Sequence, residues 1–138
     1  MNDEAYQPGR PDAIRLRLTA DRLAVCRLDP NAPMPAWALE ARGFLTITRT
    51  ADEVSIMCAT AAVPPDVRHE GPFRLLTVEG LLPFDAVGVI AGLAGALAAA
   101  GVSLLAVGTY DTDHLLVREQ DLDVSLVALA KAGYGIGS

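Results

Sequence analysis

Two short polar stretches carry the groups with which this chain could do chemistry. Pro83-Phe84-Asp85 leads into a segment that reads as a helix, and Thr109-Tyr110-Asp111-Thr112-Asp113 joins two apolar runs. At a helix start, unpaired backbone N–H groups and the helix dipole favour a carboxylate. Asp85 stands at the predicted N-cap. It either caps the helix alone, or also receives an ammonium while nearby N–H groups hold a carboxylate. Those two needs together describe a free α-amino acid. The Thr109–Asp113 stretch has two readings of its own. It is an Asx-rich turn bonded to its own backbone, or a set of hydroxyls and carboxylates placed beside a sheet edge.

Other chemistries find little support. The chain has two histidines, His69 and His114, and no HExxH, GxSxG, Walker A or GxGxxG pattern. Asp111, Asp113 and His114 lie on one hairpin, where successive side chains alternate in direction and do not converge on a metal. Gly88, Gly92 and Gly95 fall inside the predicted helix, not in a phosphate-cradling loop. No catalytic residue, metal or cofactor is expected. Cys26 and Cys58 sit in separate apolar segments without a CxxC pair, which excludes a zinc ribbon or redox motif and predicts buried, reduced thiols.

The wider composition agrees. In 138 residues, 51% are apolar and 20% charged, so a core is available and disorder is not expected. Net charge is −6, which leaves little to offer a polyphosphate backbone and argues against nucleic acid as a partner. The charge is uneven: residues 1–74 sum to −1 and residues 75–138 to −5. From Ala86 to Tyr110 no residue is charged. Its Ala and Gly carry little transfer energy, and the pattern turns β-rich after Gly101, so a helix followed by a strand fits better than a membrane span. Met1 to Gly9 is polar with no apolar signal-like run, and a cytoplasmic location is expected.

Residues 1–12 read as a loose arm. Ile14 to Leu18 alternates as a half-buried strand, Thr19 to Arg22 as a turn, and Leu23 to Leu28 as a second strand. A brief helical piece between Pro33 and Arg42 has Trp37 as its apolar anchor. Phe44–Thr48 and Val54–Cys58 are strands, and residues 60–72 a connector. Phe73–Glu79 is a strand, Ala86–Ala100 a helix stopped by Gly101, and Val102–Thr109 and His114–Arg118 two strands. Asp121 caps a last helix that runs through Ala132. Residues 133–138 could add a short strand. The second half therefore has the βαββα(β) order of a ferredoxin-like unit, α+β in class.

In the first of those helices, Ile90, Leu93 and Leu97 share one side and are expected to pack on the sheet. Gly88, Gly92, Gly95 and Ala99 share the other. Three interior glycines cost roughly 2–3 kcal/mol relative to alanine. A close-packed second layer would compensate, either the N-terminal half or a second copy.

The segment Gly101–Glu119, GVSLLAVGTYDTDHLLVRE, preceded by Gly80-Leu81-Leu82-Pro83-Phe84-Asp85, resembles the small bacterial proteins of paired ACT-type domains. It is similar also to the regulatory parts of aspartate kinases and to cytosolic arginine sensors. FLTITRTADEVSIMC, Phe44 to Cys58, and Pro35-Ala36-Trp37 resemble the first unit of that family. Leu81 and His114 depart from its usual pattern, which has proline after the loop glycine and an aromatic at the second position. The resemblance implies two ferredoxin-like units with antiparallel sheets and helices on one face. The first, with a reduced helix, spans 13–70 and the second 71–138. It implies a non-catalytic module that holds a free amino acid at the seam, at Asp85, Ala86, Val87 and Gly88, at Thr109 to Asp113, and at Ser55 and Ile56 on a facing strand. The alternative is a protein-interaction module with a degenerate site. It would form a homodimer or larger homo-oligomer through the Gly88/Gly92/Gly95 face.

Overall fold

The computed structural model describes residues 14–83 and 85–138; the expected N-terminal arm and Phe84 lie outside them. The chain forms two compact units. The larger takes the residues up to Thr19 together with Arg74–Ser138, and the smaller is Ala20–Phe73. The boundaries thus fall inside two strands, β1 (Arg15–Leu28) and β4 (His69–Val78), and not in loops.

Two expectations change here. Thr19–Arg22 is no turn, because β1 runs through it, and residues 69–72 are strand instead of connector. Polar residues at the middle of β1 mimic a turn in sequence. Pairing with a long neighbouring strand holds such a segment extended whatever its local preference. In the larger unit, Glu79 N–H donates to Arg15 C=O at 2.8 Å; in the smaller, Arg27 N–H donates to Arg68 C=O at 3.0 Å.

The larger unit contains β4, α2 (Val89–Ala99), β5 (Leu104–Gly108), β6 (Asp113–Arg118), α3 (Leu122–Lys131) and β7 (Gly135–Gly137), the βαββαβ order. Its strands lie as β7-β1-β4-β6-β5. The first part of β1 is interposed between β7 and β4, and pairs parallel with β7 from Arg15↔Gly135 to Arg17↔Gly137. Residues 14–19, which the sequence reading groups with the N-terminal unit, therefore complete the C-terminal one. Ile14 and Leu16 explain why: both are buried with Leu76, Val78, Leu93, Leu97 and Tyr134 in a single core. Alternation on β1 fixes which side chains go inward.

Helix α2 buries Val89, Leu93 and Leu97; of the expected stripe, Leu93 and Leu97 are buried and Ile90 only partly, with Val89 taking the inward place. It ends at Gly101 (φ +75°), where Val102 N–H donates to Leu97 C=O and Gly101 N–H to Ala98 C=O, satisfying the last carbonyls. Helix α3 buries Ser125 and Leu129 and begins after Asp121, which makes no side-chain cap; Ser125 Oγ donates to Asp121 C=O at 2.7 Å.

The smaller unit has β1 from Ala20 onward, the four-residue helix α1 (Ala36–Leu39), β2 (Thr46–Arg49), β3 (Val54–Ala59) and β4 up to Phe73. Strand β3 lies between β2 and β1 and pairs antiparallel with both. Its alternate residues Val54, Ile56 and Cys58 are buried with Ala24, Cys26 and Ala38, and Trp37 packs against them. The two thiols are reduced. Burial pushes the Cys26 thiol up to about 12 and raises that of Cys58.

Candidate functional site

In the larger unit the loop after β4 and the β5–β6 hairpin face each other across a cleft of about 490 Å³. Leu82, Pro83 and Ala86 line one side, and Gly108 to Asp113 the other. The hairpin begins where the Gly108↔Asp113 pair closes the ladder, and Thr109 N–H donates to Thr112 C=O at 2.9 Å. Two bonds anchor the hairpin to its surroundings. Leu82 N–H donates to Asp111 C=O at 2.9 Å, and Thr112 Oγ1 donates to Val78 C=O at 2.8 Å. The turn thus uses its own backbone bonds and also presents Asp111 and Asp113 to a cleft; the two readings of this stretch are compatible.

The helix start differs from expectation. Asp85 is not the N-cap, and α2 begins at Val89 instead of Ala86. Gly88 occupies the cap position with φ +87°, a left-handed conformation that an L side chain resists, and that residue sets the helix start. Ala86 N–H is meanwhile used by Pro83 C=O at 3.0 Å, in a turn before the helix. Of the four residues expected here, Ala86 lines the cleft; Asp85, Val87 and Gly88 are exposed in the same loop. Ser55 and Ile56 lie in the smaller unit. Ser55 pairs with Arg27 and Thr48, and Ile56 with Cys26 and Ile47, its side chain fully buried.

Sequence reasoning missed a polar network behind the hairpin. His114 lies between two hydroxyls: Thr77 Oγ1 is 3.0 Å from Nδ1 and Thr109 Oγ1 is 3.1 Å from Nε2. Thr109 gives its one hydroxyl proton to Thr112 C=O at 2.9 Å, so toward the ring it can only accept. Nε2 therefore carries the proton, and Nδ1 accepts from Thr77. That tautomer is assigned from the bonding pattern. Burial lowers the His114 pKa, with Asp113 opposing the shift and Arg17 adding to it. A second cleft of about 360 Å³ opens on this side, with Arg17, Thr77, Glu79 and His114 among its walls. Thr109, Asp111 and Thr112 line both clefts. A cation, carboxylates and hydroxyls within one unit can bind both ends of a zwitterion. The available signal was Thr77, a lone hydroxyl in the apolar run LLTV.

No cluster of three metal-ligating side chains occurs among the described residues, and no described helix is long and apolar enough to cross a membrane.

Residues 68–131 match the ACT-domain family model, and residues 21–66 match a model of an N-terminal domain. The protein Atu0741 from Agrobacterium tumefaciens superposes with a TM-score of 0.83 at 36% identity, over 89% of this chain and 91% of that one. The ligand-free regulatory subunit of aspartate kinase from Thermus thermophilus superposes at 0.61 with 12% identity, over 85% and 96%, a likeness of fold. A cytosolic arginine sensor for mTORC1, subunit 1, from Bos taurus is 36% identical over 67 residues, 48% of this chain. The chain spans only 20% of that sensor's length.

Proposed function

Because this chain is an ACT-domain protein, we propose that it is a non-catalytic regulatory module whose ligand is a free amino acid held in the cleft between the Leu82–Ala86 loop and the Thr109–Asp113 hairpin. The observation that carries this reading is the cleft itself, where Asp111 and Asp113 stand beside hydroxyls in a pinned hairpin. Carboxylates of this kind receive an ammonium or a guanidinium. The −5 balance of residues 75–138 favours a cationic side chain. The arginine-sensor relative supports the same class of ligand. Regulation follows by linkage, and its size is bounded by the ligand's differential affinity for two conformations.

A thermal-shift panel of the proteinogenic amino acids tests this. A ligand at a hundred times its Kd adds about 2.7 kcal/mol, a shift of several degrees. Asp111→Asn should abolish that shift while leaving the ligand-free Tm unchanged. A panel in which no amino acid raises Tm at millimolar concentration overturns the reading. It would leave the second one, a protein-interaction module expected to assemble through a Gly88/Gly92/Gly95 face, of which α2 itself carries Gly92 and Gly95. That reading is favoured by the open space at Gly95, where an added Cβ would meet nothing within 4 Å.

A further inference from the structure

Helices α2 and α3 lie side by side in the larger unit, and their outer surfaces enclose a shallow apolar groove of about 640 Å³. Ala96, Ala99 and Ala100 form one bank, and Val124, Val127 and Ala128 the other. Val124 is 51% exposed and Val127 55% exposed, the two large apolar side chains of α3 that do not turn inward. We propose that a second copy of this chain covers the groove, its α3 lying antiparallel to the first α3 about a twofold axis through Val127.

The charges select this occupant. Asp123, Val127 and Lys131 are spaced by four residues, so they form one ridge of α3, drifting only about 40° around the axis per step. All three lie on the wall of the groove, and all three are exposed. The ridge has a negative end, an apolar centre and a positive end, with Val127 midway. Turned about its centre, such a ridge complements itself. Asp123 of one copy meets Lys131 of the other, and the twofold repeats the contact at the opposite end. Two α3 helices in parallel would instead set Asp123 against Asp123 and Lys131 against Lys131.

Lys131 is the only lysine in a chain that otherwise uses ten arginines, and it stands at this ridge's end. Both charges also suit the dipole of their own helix, acid in the first turn and base in the last. The dipole does not require them to share a ridge with an exposed valine at its centre. Small side chains on the α2 bank let the partner's Val127 and Val124 seat in the groove. An isologous contact of this kind closes after two copies and does not propagate. The inference stands whether or not an amino acid binds, since it uses the Ala96–Ala100 end of α2 and not the hairpin cleft.

A charge exchange tests it on the full chain. By sedimentation equilibrium at tens of micromolar, the wild type should run at twice 14.5 kDa. Asp123→Lys and Lys131→Asp should each be monomeric, because both contacts become repulsive. An equimolar mixture of the two variants should be dimeric again. In the mixed dimer one contact is the native acid–base pair, and the other is the same pair with its two ends exchanged. Both positions are exposed, and unchanged circular dichroism would show that the variants fold. A monomeric wild type, single variants that stay dimeric, or a mixture that stays monomeric would each overturn the proposal.

Discussion

Thr77→Val removes one buried oxygen from the larger unit and keeps the side chain's shape. Thr77 is 6% exposed, and its hydroxyl donates to His114 Nδ1 at 3.0 Å. The substitution deletes that bond, worth about 1 kcal/mol net, and strips a partly buried ring nitrogen of this donor. The cost comes to roughly 1–3 kcal/mol. For a chain of this size that lowers Tm by about 3–10 °C. The loss should also depend on pH. In the folded protein, burial holds the His114 pKa below the ordinary value of 6.5. As pH falls through 6.5, the unfolded chain therefore takes up the proton first. The stability supplied by the neutral ring is complete above that range and is lost as pH drops toward the folded pKa. Without the Thr77 hydroxyl on Nδ1 the neutral ring is less favoured, so the folded pKa rises. The variant's deficit should then be largest near pH 8 and shrink below pH 6. Urea denaturation of both proteins at pH 8 and pH 5.5, with an NMR titration of the imidazole protons, measures both effects. A deficit under about 0.5 kcal/mol at pH 8, or one of equal size at both pH values, would refute the assignment of Nδ1 as the acceptor.

Two further outcomes follow from burial. Leu97→Ala empties space in the core that Leu97 shares with Leu93, Leu115 and Leu129, and should cost about 2–5 kcal/mol by denaturant titration; a loss below about 1 kcal/mol would mean that the core collapses around the gap. Cys26 and Cys58, 1% and 0% exposed, with the Cys26 thiol pushed up to about 12, should resist iodoacetamide at pH 8 until the chain unfolds. Labelling of the folded protein at the rate of a free thiol would count against their placement.

Local pattern carried much of the fold. The alternation Ile14/Leu16, the Val54/Ile56/Cys58 face, the stripe Leu93/Leu97 and the stop at Gly101 each follow from periodicity or a single residue's conformational range. The order βαββαβ of the second half was legible for the same reason. What could not be read was anything set by a partner distant in sequence. Strand β1 is continuous through Thr19–Arg22 because another strand runs beside it, and local polarity pointed to a turn. Likewise the placement of β1 between β7 and β4 joins residues more than a hundred positions apart.

The candidate site divides along the same line. Residue types alone marked Thr109–Asp113 as polar groups awaiting a use, and the hairpin is where the composition put it. The start of α2 was misplaced because Asp85 is a good cap by type. The left-handed Gly88 that sets the helix start is indistinguishable in sequence from the glycines at 92 and 95. The His114 network needed tertiary structure outright. Thr77 and His114 are 37 residues apart, and only the packing of the strands brings a hydroxyl to each ring nitrogen. Sequence determines what each segment prefers and which face it buries, since those are short-range energies. Which segments become neighbours, and so which polar groups must satisfy one another out of water, is decided by the assembled core.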